Sequence, residues 1–294
     1  MGNNKRMLFI FYGINLLFGM IVMLPLRGAL NSFAGHSLMG EKLAGRIDMD
    51  FLFEFLINNK GAVGETASLL FIVAAVYGLS GLFLSGGAFS VFAAEGEYSS
   101  SLFWGSAAKY CGRFLRLFLW SLPVLVIFYC IQFVENGVVR LIFGKDPYQN
   151  IAFWGGSVRI LLGYVGIILY YVLFDYARIY VVVNDERKTR VALWRGIKFI
   201  FRNFFKTLGL AAVLFVVGIV VLIIYNPLAD ALHAPNGLIV FVLFLLQQMY
   251  MLFRMSLKLT LYASQVDLYG QLSPRQVAPQ PLPEPELPAE PAMG

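Results

Sequence analysis

Residues 208–226, LGLAAVLFVVGIVVLIIYN, run without a single charged side chain. An apolar stretch of that length crosses the hydrocarbon core of a bilayer, about 30 Å thick, as about 20 helical residues. In hydrocarbon no water is present to satisfy a free backbone amide. A spanning segment must therefore close its own hydrogen bonds, as a helix or as a strand of a closed barrel. The apolar residues here are continuous rather than alternating, which selects the helix.

Five more stretches behave alike, so spans are predicted near residues 7–26, 67–92, 117–138, 152–174, 208–226 and 237–256. Composition agrees: 59% of the chain is hydrophobic, 16% aromatic and only 14% charged, too little polar surface to coat a water-soluble globule. The expected fold is an all-α, polytopic transmembrane helical bundle occupying residues 1–273. The first run follows MGNNKR and lacks a small-residue cleavage site, so it is read as a retained span; a cleaved leader would leave five.

Lys and Arg near span ends collect on the cytoplasmic side. With the N-terminus inside, sixteen of the 23 cations fall on inner segments, including Lys109, Arg113, Arg116, Arg195, Lys198, Arg202 and Lys206. Both termini are then expected in the cytoplasm. The net charge of +6 reads as topology and attraction to anionic headgroups. No recognition-helix or aromatic RNA-binding motif points to nucleic acid.

Arg195, Lys198, Arg202 and Lys206 step by three, four and four residues, which makes one stripe on a helix. Trp194, Ile197, Ile200, Phe201 and Phe204 fall on the other side. Lys109, Arg113 and Arg116 form a similar stripe earlier in the chain. Two interfacial amphipathic helices are predicted, with cations at the headgroups of the cytoplasmic leaflet and rings in the acyl boundary. These seven cations are the candidate lipid-binding residues. Trp104, Trp120 and Trp194 on the inner side and Trp154 on the outer side fit aromatic belts.

The two stripes belong to a repeat. Residues 86–120 lie over residues 175–209 at a constant offset, superposing Ala88 on Ala177, Glu97 on Glu186, Lys109 on Lys198 and Arg113 on Arg202. Each copy reads as the inner end of a span, a polar turn, a cationic helix and the next span outward. A third copy begins at YASQVDLYGQ, residues 262–271, and stops. Such repeats build transporter folds around a midplane site, and they also arise from duplication of a stable hairpin.

Few ionisable groups fall near mid-span, which argues against a proton or ion relay. Gln132, Gln247, Gln248 and Asn15 are neutral and can bond across helices. Glu135 and Arg159 fall toward outer ends. Asp175 and Arg178, three apart on one helix, sit at the inner interface if the fourth span is 152–174, and well inside if it slides to 160–183. The first placement makes them a local anchor; the second makes them an intramembrane ion pair.

Between the first two spans, DMDFLFEFLINN suits a short surface helix. Its acids Asp48, Asp50 and Glu54, with His36 and His233 on the same side, are read as a solvated face rather than a metal site. Residues 274–294 hold seven of the twelve prolines and are expected as a disordered, Pro-rich cytoplasmic tail. Cys111 and Cys130 stand about 28 Å apart along one helix at about 1.5 Å per residue, so they cannot bridge each other. No nucleophile elbow, Walker loop, HExxH or paired-Cys motif is present. Neither catalysis nor a cofactor is expected.

Through the segments GGAFSVF, SSSLFWGSAAKYCGRFLRLFL and RGIKFIFRNFF, with LPLRGAL and IDMDFLFEF before them, the chain resembles a broad group of uncharacterised bacterial multi-pass integral membrane proteins. That group is similar in pattern to the membrane domain accompanying some glycerophosphodiester phosphodiesterases. The resemblance covers about residues 5–270 and implies a bacterial inner membrane and six spans. It carries no catalytic residues, because the phosphodiesterase domain has no counterpart here. The expected role is a non-catalytic structural or regulatory component of envelope or lipid homeostasis, partnered by membrane lipids and by another membrane protein. The alternative is a transporter or lipid-handling protein built on the hairpin repeat.

Overall fold

The computed structural model describes residues 5–34, 60–94, 98–144, 148–232 and 237–273. The expected surface helix at residues 48–59, the two histidines and the Pro-rich tail lie outside the described residues. Within them the chain is helical and contains no strand. The helices are α1 (Lys5–Ala34), α2 (Lys60–Ala93), α3 (Ser100–Cys130), α4 (Val134–Phe143), α5 (Gln149–Val183), α6 (Thr189–Arg202), α7 (Phe204–Ala231) and α8 (Gly237–Leu272). A short 3-10 turn, Ile131–Phe133, joins α3 to α4. Six apolar segments are long enough to cross a membrane, as the hydropathy pattern requires.

Several helices outrun the expected spans, and two of the differences bear on the packing. The first cationic stripe forms no separate helix, because α3 runs unbroken from Ser100 through Lys109, Arg113 and Arg116 into its apolar half. In the second copy the chain does break, at Asn203, between α6 and α7. Asn203 has φ −121° and ψ 33°, and its Nδ2 donates to the Phe199 carbonyl. Thr207 Oγ1 donates back to the Asn203 carbonyl at 3.1 Å. Short polar side chains compete in this way with the helical ladder. The repeat position matching Asn203 is Phe114, a fully buried ring with no such competing group, so the first copy stays straight.

The second difference is the helix that carries the fourth apolar run, which continues to Val183. Asp175 and Arg178 are therefore well inside α5, not at its exit.

Packing is concentrated at one end of the bundle. Met7 and Phe11 of α1, Leu84 to Val91 of α2, Phe103 to Leu117 of α3, Val172 to Val181 of α5, Ile200 of α6, Ala211 of α7 and Leu259 to Tyr269 of α8 meet in one core. These segments are the helix ends nearest the cationic stripes. Toward the opposite end large apolar side chains stand exposed, among them Leu141, Phe153, Ile223 and Phe241. Water would not tolerate so much exposed apolar surface, and acyl chains solvate it without penalty. α2 packs most extensively on α3, and α5 on α6 and α3.

Small residues set these two contacts. A Cβ built on Gly87 would stand 2.7 Å from the Phe103 carbonyl oxygen, and one on Gly196 would stand 3.0 Å from the Ala177 Cα. Close backbone approach at small residues is how helices associate when lipid offers no hydrophobic drive. Ala107, the repeat equivalent of Gly196, is likewise approached by its hairpin partner, a Cβ on Gly86 standing 3.5 Å from its Cα. The copies also open alike: Ser100 and Thr189, related by the repeat offset, each begin the helix after the turn.

Candidate functional site

The buried end of α5 places Asp175 and Arg178 on one face, three residues apart, where they form an ion pair. Both are nearly inaccessible, Asp175 at 6% and Arg178 at 5% exposure. Arg178 Nη1 donates to Ser85 Oγ of α2 at 2.8 Å. Four rings surround the guanidinium: Phe174 at 4.5 Å, Phe89 at 5.2 Å, and Phe114 and Tyr262 at 5.8 Å. Each face of an aromatic ring attracts a cation, and the attraction grows when water is excluded. Four helices, α2, α3, α5 and α8, thus meet on one arginine.

The repeat offset explains why. Phe89 and Arg178 occupy the same repeat position, as do Ser85 and Phe174, and Arg178 touches all three others. Contact between equivalent positions is what a symmetric pairing of two hairpins produces. Asp175 and Arg178 do pair with each other, buried in protein rather than exposed at a helix end, with Arg178 at the junction of the copies.

The neutral polar groups of the apolar runs are dispersed. Gln248 Oε1 accepts from Tyr12 OH at 2.7 Å, and Asn15 Oδ1 accepts from Tyr77 OH at 3.1 Å, both tying α1 to a neighbour. Gln132 lies against Gly163 of α5, and Gln247 is exposed. None of them is brought to Arg178. Three other buried groups near this end have no hydrogen-bond partner: Tyr176 OH, the Gln265 amide and Arg178 Nε.

The cationic stripes divide into two groups. Lys109 Nζ and Arg113 Nη1 approach Asp185 Oδ1 at 3.0 and 2.6 Å. Arg113 also donates to the Asp185 carbonyl at 3.1 Å, and Tyr110 OH donates to the same carboxylate at 3.2 Å. These two cations are thus engaged by the chain itself. Asp185 ends α5: Glu186 N–H bonds the Val181 carbonyl and Asp185 N–H the Val182 carbonyl, with Asp185 at φ 46°. That is a Schellman turn with aspartate in the left-handed position usually held by glycine. Glu186 Oε1 then accepts the N–H groups of Arg187 and Lys188 at 2.9 Å. α3 of the first copy therefore grips the turn of the second.

Arg116, Arg195, Lys198, Arg202 and Lys206 are all exposed. On α6 the buried face is Ala192, Leu193, Gly196 and Ile200, docked on the bundle. Trp194 and Phe201 point outward beside the cations rather than on a separate face, and Ile200 faces protein rather than acyl chains. Arg190 lies over the Trp120 ring at 4.1 Å. Sequence reasoning missed Asp185, whose signal was an acid directly after a helix end, and Ser85, Phe89, Phe114 and Tyr262, whose only signal was the repeat offset.

Side-chain hydrogen bonds from Lys109 and then Arg113 hold the Asp185 carboxyl down at about 2, against 3.8 unperturbed. A depressed acid stabilises the fold above its unfolded pKa and loses that contribution as pH falls toward the folded one. The window here is about pH 4 to 2. Asp185 is half exposed, so solvent limits the effect to under about 1 kcal/mol. Asp185→Asn keeps the left-handed backbone accessible and removes the charge. In detergent, the melting temperatures of variant and parent should differ slightly at pH 6 and converge near pH 2; a constant difference would assign the effect to the turn rather than the charge.

Among the described residues no cluster of His, Cys, Asp and Glu is arranged to hold a metal ion. No family model, curated protein or solved structure matches the chain.

Proposed function

We propose that this protein is a non-catalytic structural or regulatory component of the bacterial inner membrane, serving envelope or lipid homeostasis, with both termini in the cytoplasm. The observation that carries this reading is the Arg178 junction. A transport pathway through the repeat interface needs a polar, hydrated cavity there, whereas Arg178 is enclosed by rings and glycine contacts close both hairpins. A dry, small-residue-packed junction supports a scaffold that holds its helices in one arrangement.

The same end of the bundle carries the exposed cations Arg116, Arg195, Lys198, Arg202 and Lys206, flanked by Trp194, Phe201 and Phe205. In this reading they hold the scaffold against the anionic cytoplasmic leaflet, where each cation contributes about 1 kcal/mol. Neutralising Lys198, Arg202 and Lys206 together to Gln should lower the selectivity for spin-labelled phosphatidylglycerol over phosphatidylcholine by about tenfold or more. Unchanged selectivity in reconstituted, folded protein would remove the headgroup role. Purification from the native membrane in mild detergent tests the partner half of the proposal: a membrane protein recovered at fixed stoichiometry supports it, and recovery of the chain alone counts against it.

A further inference from the structure

At the end of the bundle away from Arg178, α4 and α5 diverge around a groove of about 430 Å³. Its walls are apolar, formed by Val138, Val139, Ile151, Val158 and Leu162, and Glu135 is the one titratable residue lining it. Glu135 is nine-tenths buried, and its Oε2 has no hydrogen-bond partner. Oε1 packs over Gly155, in the space a Cβ would otherwise fill. A buried carboxyl oxygen without a donor is costly, and such a group in a cleft marks a place where a donor belongs.

The surroundings define that donor. Glu135 lies eight residues before the end of α4, about 12 Å along a helix rising about 1.5 Å per residue. Gly155 lies six residues into α5, about 9 Å by the same measure. The carboxyl is therefore near the level where a lipid headgroup gives way to its chains. Arg159 turns its Nη2 toward Gly156, away from the groove face of Ile151, Gly155, Val158 and Leu162, and leaves the Glu135 Oε2 without a partner. A carboxyl in the groove with Val158 and Leu162 deeper along α5 matches the ammonium and acyl chain of one molecule. Exposed Val134, Val138 and Trp154 leave the groove open to the lipid side. Its volume falls within the range of small-ligand sites, about 300 to 1,000 Å³, and a helix about 10 Å across would need a broad face instead.

We infer that the groove binds one phospholipid with a primary-amine headgroup, its ammonium donating to Glu135 and one chain lying along Val158 and Leu162. This rests on the membrane placement of α4 and α5 and not on the scaffold role of the Arg178 end, so either can fail alone.

The full chain, reconstituted in nanodiscs of equimolar phosphatidylethanolamine and phosphatidylcholine, is extracted into detergent and its retained lipids counted by native mass spectrometry. The two lipids share phosphate and chains, but only ethanolamine carries N–H donors. The wild type should retain one ethanolamine lipid at about tenfold preference, the scale of a charge-assisted hydrogen bond. Glu135→Gln should bring the ratio near one, and Val158→Trp should expel either lipid by filling the groove. If Glu135→Gln does not fold, the wild-type ratio and Val158→Trp decide. Equal retention in the wild type, or a preference that survives either variant, overturns the assignment. So does a cross-linker at Val138 that captures a polypeptide instead of lipid.

Discussion

Replacing Asp175 with alanine should destabilise the bundle by about 3 to 5 kcal/mol, the cost of leaving a buried guanidinium without its counter-charge. Arg178 has no route to solvent: four rings enclose it, and its remaining protein partner is the neutral Ser85 hydroxyl. Deleting both charges is a different experiment. Asp175→Asn with Arg178→Gln removes the attraction and most of the desolvation penalty together, and buried pairs replaced as a unit are often close to neutral. The double variant should therefore recover most of what the single variant loses, with a residual deficit from lost ring contacts. Unfolding in mixed micelles followed by tryptophan fluorescence measures both. Equal losses in single and double variants would mean that the guanidinium serves through Ser85 and the rings, and that Asp175 contributes little. Arg178→Lys separates these further, because an ammonium cannot reach the carboxylate and Ser85 with the same planar fork.

The contrast between single and double variants also marks how far the sequence could be read. Hydropathy reveals α1, α7 and α8 because crossing a bilayer demands an uninterrupted apolar run whatever the neighbours are. The stripe of α6 is legible for a similar reason, since its exposed cations follow directly from helical period, whereas the docking of Ala192, Gly196 and Ile200 on the bundle depends on the neighbouring helices. Periodicity does not say where an ionisable pair sits along a run. Asp175 and Arg178 read first as an anchor at a helix exit, although IYVVV after them suits either a membrane or a protein interior. What decides is Phe89, Phe114 and Tyr262, contributed by three other helices. Likewise the continuity of α3 hangs on Phe114 being buried, where Asn203 breaks the second copy. Asp185 matters because α3 places Lys109 and Arg113 beside it, a relation between residues more than seventy apart. Glu135 was legible as an acid near an outer helix end, but its groove exists only where α4 and α5 diverge.

Gly87→Ala and Gly196→Ala should each lower stability by about 1 to 3 kcal/mol, although alanine is the better helix former. The new methyl at position 87 would meet the Phe103 carbonyl and ring edge, and the one at position 196 the Ala177 backbone. Neither obstacle is the loose end of a side chain, so relief requires the hairpin helices themselves to move apart. That movement is costly at these two places. α3 carries Phe103 and Phe114 into the core beside Arg178, and α6 closes over Ala177, one residue from it. Separating either hairpin loosens the ring enclosure that offsets burial of the guanidinium, so the two substitutions should couple to Arg178. Gly105→Ala is the control, because nothing lies within 4 Å of a Cβ there. It should be neutral or gain up to about 1 kcal/mol from helix propensity. Melting temperatures of the three alanine variants in one detergent rank them directly. A loss at Gly105 as large as at Gly87 would show that glycine is needed in these helices for flexibility rather than closeness, and the close-packed junction would cease to explain the arrangement of the two copies.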